Sequence, residues 1–206
     1  MITMLTYKLF IFLVAYLLGT IPSAFLAGKI KKIDVRKLGS GNIGATNAYR
    51  LLGKKWGIAV LAADAVKGGL AAYLGLIFFG TWGGLAGGIL ALLGHTFNPW
   101  FGFKPSGKGV ASALGIVCVL MPKVMVVGVC VFVVTVAISR FVSLGSVLGA
   151  LAVIITALVF REELPNIIFA IIGCSLIVIR HIGNLKRIAN GTEPKFGQKH
   201  DSKDRK

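Results

Sequence analysis

Three stretches of this chain combine glycine and short hydroxyl or amide side chains with a cation, the residue types from which phosphate-binding sites are built. The first is GSGNIGATNAYR at 39–50. Its glycines let the backbone turn so that successive N–H groups converge on an anion, and Ser40 and Asn42 add short donors. A helix beginning near Gly44 would carry Thr46 and Asn47 about one turn before Arg50, whose guanidinium can grip a phosphate through two parallel hydrogen bonds. A flexible polar loop with a topogenic arginine is the competing account. The second stretch, GHTFNPWFGFKPSGKGV at 94–110, sets Gly107, Lys108 and Gly109 where a turn feeds a helix at Val110. It fails as a nucleotide-binding loop, because Gly109 follows Lys108 where GxxxxGK[ST] needs a hydroxyl, and no βαβ pattern surrounds it. A glycine-rich turn at a helix start still offers amide donors and a positive dipole end to phosphate, with Lys108 as a point charge. Lys104 stands beside it, and snorkelling to the membrane surface is the alternative for both lysines. The third stretch, RHIGNLKR at 180–187 with Gly191 and Glu193 beyond, puts His181 and Asn184 three apart on one helical face, within reach of one ligand. A satisfied structural histidine and topogenic Arg180, Lys186 and Arg187 are the plainer reading.

Other residues carry weaker signals. Asp64 and Lys67, three apart inside an apolar run, need each other or another partner, which makes them either a functional pair or a brace for the bundle. His95 suits a base or a hydrogen-bonded structural role. Phe97, Trp100, Phe101 and Phe103 read as an interfacial aromatic belt or as the lining of an acyl groove. Of the seven acids, Asp34, Glu162, Glu163, Asp201 and Asp204 fall in polar turns or the tail, so no carboxylate cluster for a divalent metal is expected. No serine elbow or Cys–His–Asp set is evident. The implied chemistry joins a membrane-soluble partner to a small phosphorylated one, with alignment and electrostatics dominating.

The elements that must position these groups are membrane helices. Long runs at 9–27, 82–93 and 142–160 are almost free of charge, whereas 29–55 and 186–206 hold many basic residues. About 20 apolar residues cross about 30 Å of hydrocarbon. Spans are expected near 9–30, 56–79, 82–98, 143–160 and 167–182, with a tight turn at Gly80–Thr81. The stretch 110–139 reads as two short helices broken at Pro122–Lys123, since a lysine beside a proline suits a turn better than an apolar helix interior. The expectation is an all-α polytopic bundle of seven spans forming one domain over 1–206. Lys29, Lys31 and Lys32 after the first run form a stop-transfer pattern, so that run reads as a retained helix and not a cleaved signal. The loop 31–55 carries seven Lys+Arg against one Asp, and the segment after His181 carries seven against three acids. This asymmetry places the amino terminus outside and the carboxyl terminus in the cytoplasm. It also gathers 31–55, 98–109, 140–143 and the tail on one face. The glycines at 69, 75, 83, 84, 87, 88, 145 and 149 suit close helix packing.

Composition excludes the common soluble classes. With 56% hydrophobic and 15% charged residues and a mean hydropathy of +0.84, the chain lacks the polar surface of a soluble domain. A net charge of +16 would suit nucleic acid in another context; here it records topology and draws anionic lipid and phosphorylated substrates, so no nucleic acid partner is expected. Cys118, Cys130 and Cys174 lie in apolar runs without metal-ligand spacing and read as small buried packing residues. A transporter of organic phosphates would share the cationic face but should show an internal repeat, and none is convincing. A non-catalytic scaffold would need neither Arg50 nor Lys108.

Taken together, GSGNIGATNAYR (39–50), GHTFNPWFGFKPSGKGVAS (94–112) and RHIGNLKRIANGTE (180–193) resemble the bacterial membrane-bound acyl-phosphate:glycerol-3-phosphate acyltransferase family. The resemblance runs over essentially the whole chain and includes Asp64, Lys67, Gly68 and the turn at 140–146. It differs from soluble acyltransferases in lacking their H-x4-D pair: Trp100 and Lys186 stand at the fifth positions after His95 and His181. The resemblance implies that Ser40, Arg50, His181 and Asn184 hold and orient glycerol 3-phosphate. It also implies that Lys108, Gly107 and Gly109 form the acyl-phosphate loop, with Ser143 or Ser146 near the same phosphates. The implied reaction yields 1-acyl-glycerol 3-phosphate and inorganic phosphate, with no cofactor, metal or obligate protein partner, at the cytoplasmic face of the cell inner membrane. The loop departs from the family's usual FKGGKG by reading FKPSGKG, one residue longer through Pro105 and Ser106.

Overall fold

A computed structural model of the chain describes residues 2–198. The end of the basic tail, 199–206 with Asp201 and Asp204, lies outside the described residues. Eight α-helices account for most of the rest: α1 (Ile2–Thr20), α2 (Ser23–Ile30), α3 (Ala45–Leu52), α4 (Lys54–Thr96), α5 (Val110–Leu120), α6 (Pro122–Ser139), α7 (Val142–Val159) and α8 (Leu164–Ala189). A 3-10 turn, Pro99–Phe101, precedes α5. Among the described residues there is no strand, only an isolated bridge between Phe97 and Pro105. The chain divides into two compact units, one ending at Leu120 and the other beginning at Met121.

Breaks between helices follow local chemistry. Pro22 has no N–H to continue α1 and disfavours helical backbone at Ile21. The axis bends there by 44° into α2. In α4 the helix reverses at Phe79 and Gly80, where Gly80 takes φ +65° and ψ −163°, a backbone that a side chain would strain. The turn expected at Gly80–Thr81 falls one residue earlier, at Phe79–Gly80. Its two arms pack through bare backbone: a Cβ on Gly75 would strike the Gly83 carbonyl, and one on Gly87 would strike that of Ala71. The same small-residue contact joins α4 to α5, where Gly68 faces Ser112 and Gly115 faces Ala65. The stretch 110–139 is two helices, parted at Met121, with Pro122 opening α6 where its missing N–H is harmless.

Four of these helices are long and apolar enough to cross a membrane, or five if the bent pair α1–α2 is one span. At 11 residues, α5 is shorter. Over the described residues the protein is therefore an all-helical integral membrane protein. Burial of the cysteines holds only for Cys174; Cys118 and Cys130 are exposed. An apolar run in a membrane helix does not encode which face turns inward, because lipid is as apolar as a packed core.

Candidate functional site

In the first unit, the segment 31–44 and α3 form a small polar platform over an apolar pad of Ala24, Ala27, Val35, Ile43, Ala48 and Val60. Gly39 and Gly41 hold φ of +62° and +68°, which bends the backbone around Ser40. Asn47 is 2% exposed, and its amide serves this bend. Its Nδ2 donates to the Val35 carbonyl at 2.9 Å and to that of Leu38 at 3.3 Å, while Oδ1 accepts from the Ser40 N–H at 3.0 Å. Asn47 is thus a brace of the loop. Ser40 stays exposed on the bend, and Arg50 lies half-buried in the last turn of α3. Asn42 Oδ1 is buried without a hydrogen-bond partner, an unusual state for a carbonyl oxygen unless a ligand or water serves it.

The second stretch folds back on the end of α4. The Ser106 N–H donates to the Thr96 carbonyl at 3.0 Å, and Asn98 Nδ2 donates to the Thr20 carbonyl at 2.6 Å, closing the end of α1. Asn98 Oδ1 caps the 3-10 turn through the Trp100 N–H at 3.0 Å. The two glycine-rich loops then meet directly, because the Ile43 N–H donates to the Ser106 carbonyl at 3.3 Å. Gly107 and Gly109 are buried, Lys108 is half-buried and Lys104 exposed. Gly109 takes φ +77°, and a side chain there would also collide with Leu92. Of the aromatic cluster, Trp100 and Phe103 are exposed, while Phe101 packs edge-on to Phe25 beneath the Arg36 guanidinium. The Arg36 hydrogen bond holds the Asp34 carboxyl well below its usual range, at about 2.

Behind these loops lies a buried polar cluster. Asp64 Oδ1 accepts from Ser23 Oγ at 2.9 Å and pairs with Lys67 Nζ at 2.8 Å. Lys67 also donates to the Ile21 carbonyl at 2.6 Å, satisfying an acceptor exposed by the helix break. His95 Nδ1 stands 3.8 Å from Asp64 Oδ1.

In the second unit, His181 and Asn184 are both buried on one face of α8, as their spacing implies. His181 Nδ1 lies 2.8 Å from the Ile177 carbonyl, which can only accept, so the proton belongs on Nδ1 and Nε2 is the acceptor nitrogen of the neutral ring. Asn184 Nδ2 donates to Glu193 Oε1 at 2.7 Å, and Ser143 Oγ donates to the same oxygen at 2.7 Å. Arg187 Nε closes the group on Glu193 Oε2 at 2.8 Å. Burial opposes the charge on Glu193, but these hydrogen bonds and the guanidinium outweigh it and hold the carboxyl below its usual range. Ser146 Oγ donates to the Val142 carbonyl at 2.9 Å, inside its own helix. The segment after α8 is tied down by the Phe196 N–H, which donates to the Arg140 carbonyl at 2.6 Å, and by Arg140, whose side chain donates to the Phe196 carbonyl at 3.1 Å. Sequence reasoning missed Glu193 as the acceptor that gathers Ser143, Asn184 and Arg187. Its only signal was its place as the last residue of the third motif.

Comparison with known proteins points one way. Residues 9–191 match the family model for glycerol-3-phosphate acyltransferase. The chain is 43% identical to the glycerol-3-phosphate acyltransferase of Trichormus variabilis, covering 90% of each chain. It is also 43% identical to glycerol-3-phosphate acyltransferase 2 of Bacillus anthracis, covering 89% of this chain and 96% of the other. Its structure resembles the glycerol 3-phosphate form of PlsY, an integral membrane glycerol 3-phosphate acyltransferase, with a TM-score of 0.89 at 37% identity, covering 93% of this chain and 96% of that one. It likewise resembles the lysophosphatidic acid form of PlsY, with a TM-score of 0.86.

Proposed function

The chain belongs to the glycerol-3-phosphate acyltransferase family, and from that premise we propose that it moves the acyl group of acyl phosphate to the sn-1 hydroxyl of glycerol 3-phosphate. The products are 1-acyl-glycerol 3-phosphate and inorganic phosphate. The observation that carries this reading is the hydrogen bond from Ile43 to Ser106, which joins the loop leading to Arg50 with the glycine-rich turn around Lys108. Two phosphate-directed elements with separate cations suit a reaction in which both substrates carry phosphate.

In this mechanism the turn at 107–109 and Lys108 take the phosphate of the acyl donor, with Lys104 adding positive potential, and the dipole of α5 favours the charge gathering on the leaving group. Arg50 and Ser40 take the phosphate of glycerol 3-phosphate, and Asn42 Oδ1 accepts from one of its hydroxyls. His181 Nε2 and Asn184 orient the sn-1 hydroxyl, with Ser143 and Ser146 on the neighbouring helix. The hydroxyl oxygen attacks the acyl carbonyl carbon, the bond from that carbon to the phosphate oxygen breaks, and the hydroxyl proton passes to the departing phosphate. Acyl phosphate is already an activated donor, so alignment and charge neutralisation supply most of the rate.

The same proposal covers topology. Counting α1–α2 as one crossing, each arm of α4 as one, and α5 to α8 singly gives seven, with the amino terminus outside. The basic loops, the carboxyl terminus and the active site then face the cytoplasm at the inner membrane.

Purified protein supplied in turn with acyl phosphate, acyl-CoA and acyl-carrier protein should form lysophosphatidate from glycerol 3-phosphate with acyl phosphate alone. Arg50→Ala and Lys108→Ala should each lower kcat/KM by roughly 100-fold, the usual scale for a lost substrate-positioning contact. Near wild-type turnover by both variants at low substrate would overturn these assignments.

A further inference from the structure

The reaction as proposed gives no work to Asp64, Lys67 and His95, although all three are at least nine-tenths buried. Burying such groups in an apolar span is costly. Bracing of the helix break accounts for Asp64 and Lys67 through Ser23 and the Ile21 carbonyl. It does not account for His95. That ring stands between a fixed anion and the glycine-rich turn. Its Nδ1 faces Asp64 Oδ1 at 3.8 Å, and its opposite edge faces Gly107. A Cβ built on Gly107 would run into His95 Nε2, and its next nearest neighbours are Cδ2 and Cε1 of the same ring. Gly107 is not among the glycines with positive φ, so the imidazole, and not backbone strain, bars a side chain there.

We propose that Asp64, acting through His95, is a positioning residue for the acyl donor. The carboxylate favours the ring orientation that turns Nδ1–H toward it, and the oriented ring is the wall against which Gly107 is seated. That wall sets where the amides of 107–109 and the Lys108 ammonium stand. The Ser106–Thr96 hydrogen bond holds the turn from its other side, so the end of α4 grips both sides of one short segment. This inference rests on the reading of 107–109 as the acyl-phosphate turn.

The test is a pair of double-mutant cycles read as kcat/KM for each substrate. Asp64→Asn should lower kcat/KM for acyl phosphate by roughly 10- to 100-fold, as a small misplacement of a positioning element does, while KM for glycerol 3-phosphate stays within about twofold. On a His95→Ala background the same change should add almost nothing. Gly107→Ala should be severe alone and much milder with His95→Ala, because the ring that blocks the new methyl is gone. Should Asp64→Asn lose its monodisperse fold in detergent, Asp64→Glu, which keeps the anion but displaces it by a methylene, should show the same selective fall. Additive effects in the Gly107 cycle, or equal changes in both substrates' KM with Asp64 variants, would overturn the inference. A wild-type protein inactive with acyl phosphate would instead sink the functional reading, a result that needs no variant.

Discussion

Asp64 and Glu193 each gather three polar neighbours, one around a buried cation and the other around an exposed one. Asp64 is 1% exposed within a membrane helix, where Ser23, Lys67 and His95 approach one of its oxygens. Glu193 sits in the turn after α8 with its side chain only 5% exposed, and ties Ser143 of α7 to Asn184 and to the 46% exposed Arg187 of α8. The first carboxylate is matched by a buried cation that has nowhere else to go. The second holds two buried uncharged side chains, and its cation, Arg187, can turn to water instead. The exposure of the partner cation should therefore decide whether loss of the acid is felt mainly as instability or mainly as misplacement of its neighbours.

The sharpest way to break this contrast is to remove each acid. Asp64→Ala strands the Lys67 ammonium in apolar surroundings and should cost about 3–5 kcal/mol, seen as a large fall in thermal melting in detergent. Replacing both partners with apolar residues of similar size (Asp64→Leu with Lys67→Met) should recover most of that loss. Glu193→Ala should cost about 1–3 kcal/mol, the scale for leaving buried donors such as those of Ser143 and Asn184 without an acceptor. Its larger consequence should be kinetic, because Asn184 and Ser143 lose the anchor that sets their rotamers. If Glu193→Ala proved the more destabilising of the two, exposure of the partner cation would not be the controlling variable.

Acidification separates the two carboxylates further. The folded-state pKa of Glu193 is lowered from its ordinary 4.5, so its contribution to stability is present above that value and is lost as pH falls through the folded value. Melting temperature followed from pH 7 downward should show an acid-side decline below about 4.5 that is smaller in Glu193→Gln. Asp34 supplies the baseline. Its pair with Arg36 is well formed at 2.8 Å but solvent-exposed, and Asp34→Asn should leave the melting temperature at neutral pH unchanged within error.

The same contrast explains what could be seen in advance. An acid inside an apolar run is conspicuous in one dimension, so Asp64 and Lys67 stood out as a pair three residues apart. Glu193 had no such contrast, since it follows a basic, polar stretch in which one more charge is ordinary. Helix breaks were similarly legible at Gly80 and Pro122, whereas the bend at Pro22 fell inside a run read as one span over 9–30. Asn47 was legible as a polar residue near Arg50 but not as a brace, because its partners Val35, Leu38 and Ser40 contribute only backbone atoms, which every residue type possesses.

The chain's order of apolar runs, prolines, glycines and cations was enough by itself to determine a helical membrane protein with basic, glycine-rich loops. Those properties follow from local preference and from the cost of placing charge in hydrocarbon. The tertiary structure alone decided that His95 stands against Gly107, that Ile43 bonds to Ser106, and that Glu193 collects Ser143 and Asn184. Each joins residues 9 to 63 positions apart in the chain, and no local propensity encodes a contact whose geometry depends on how the intervening helices pack.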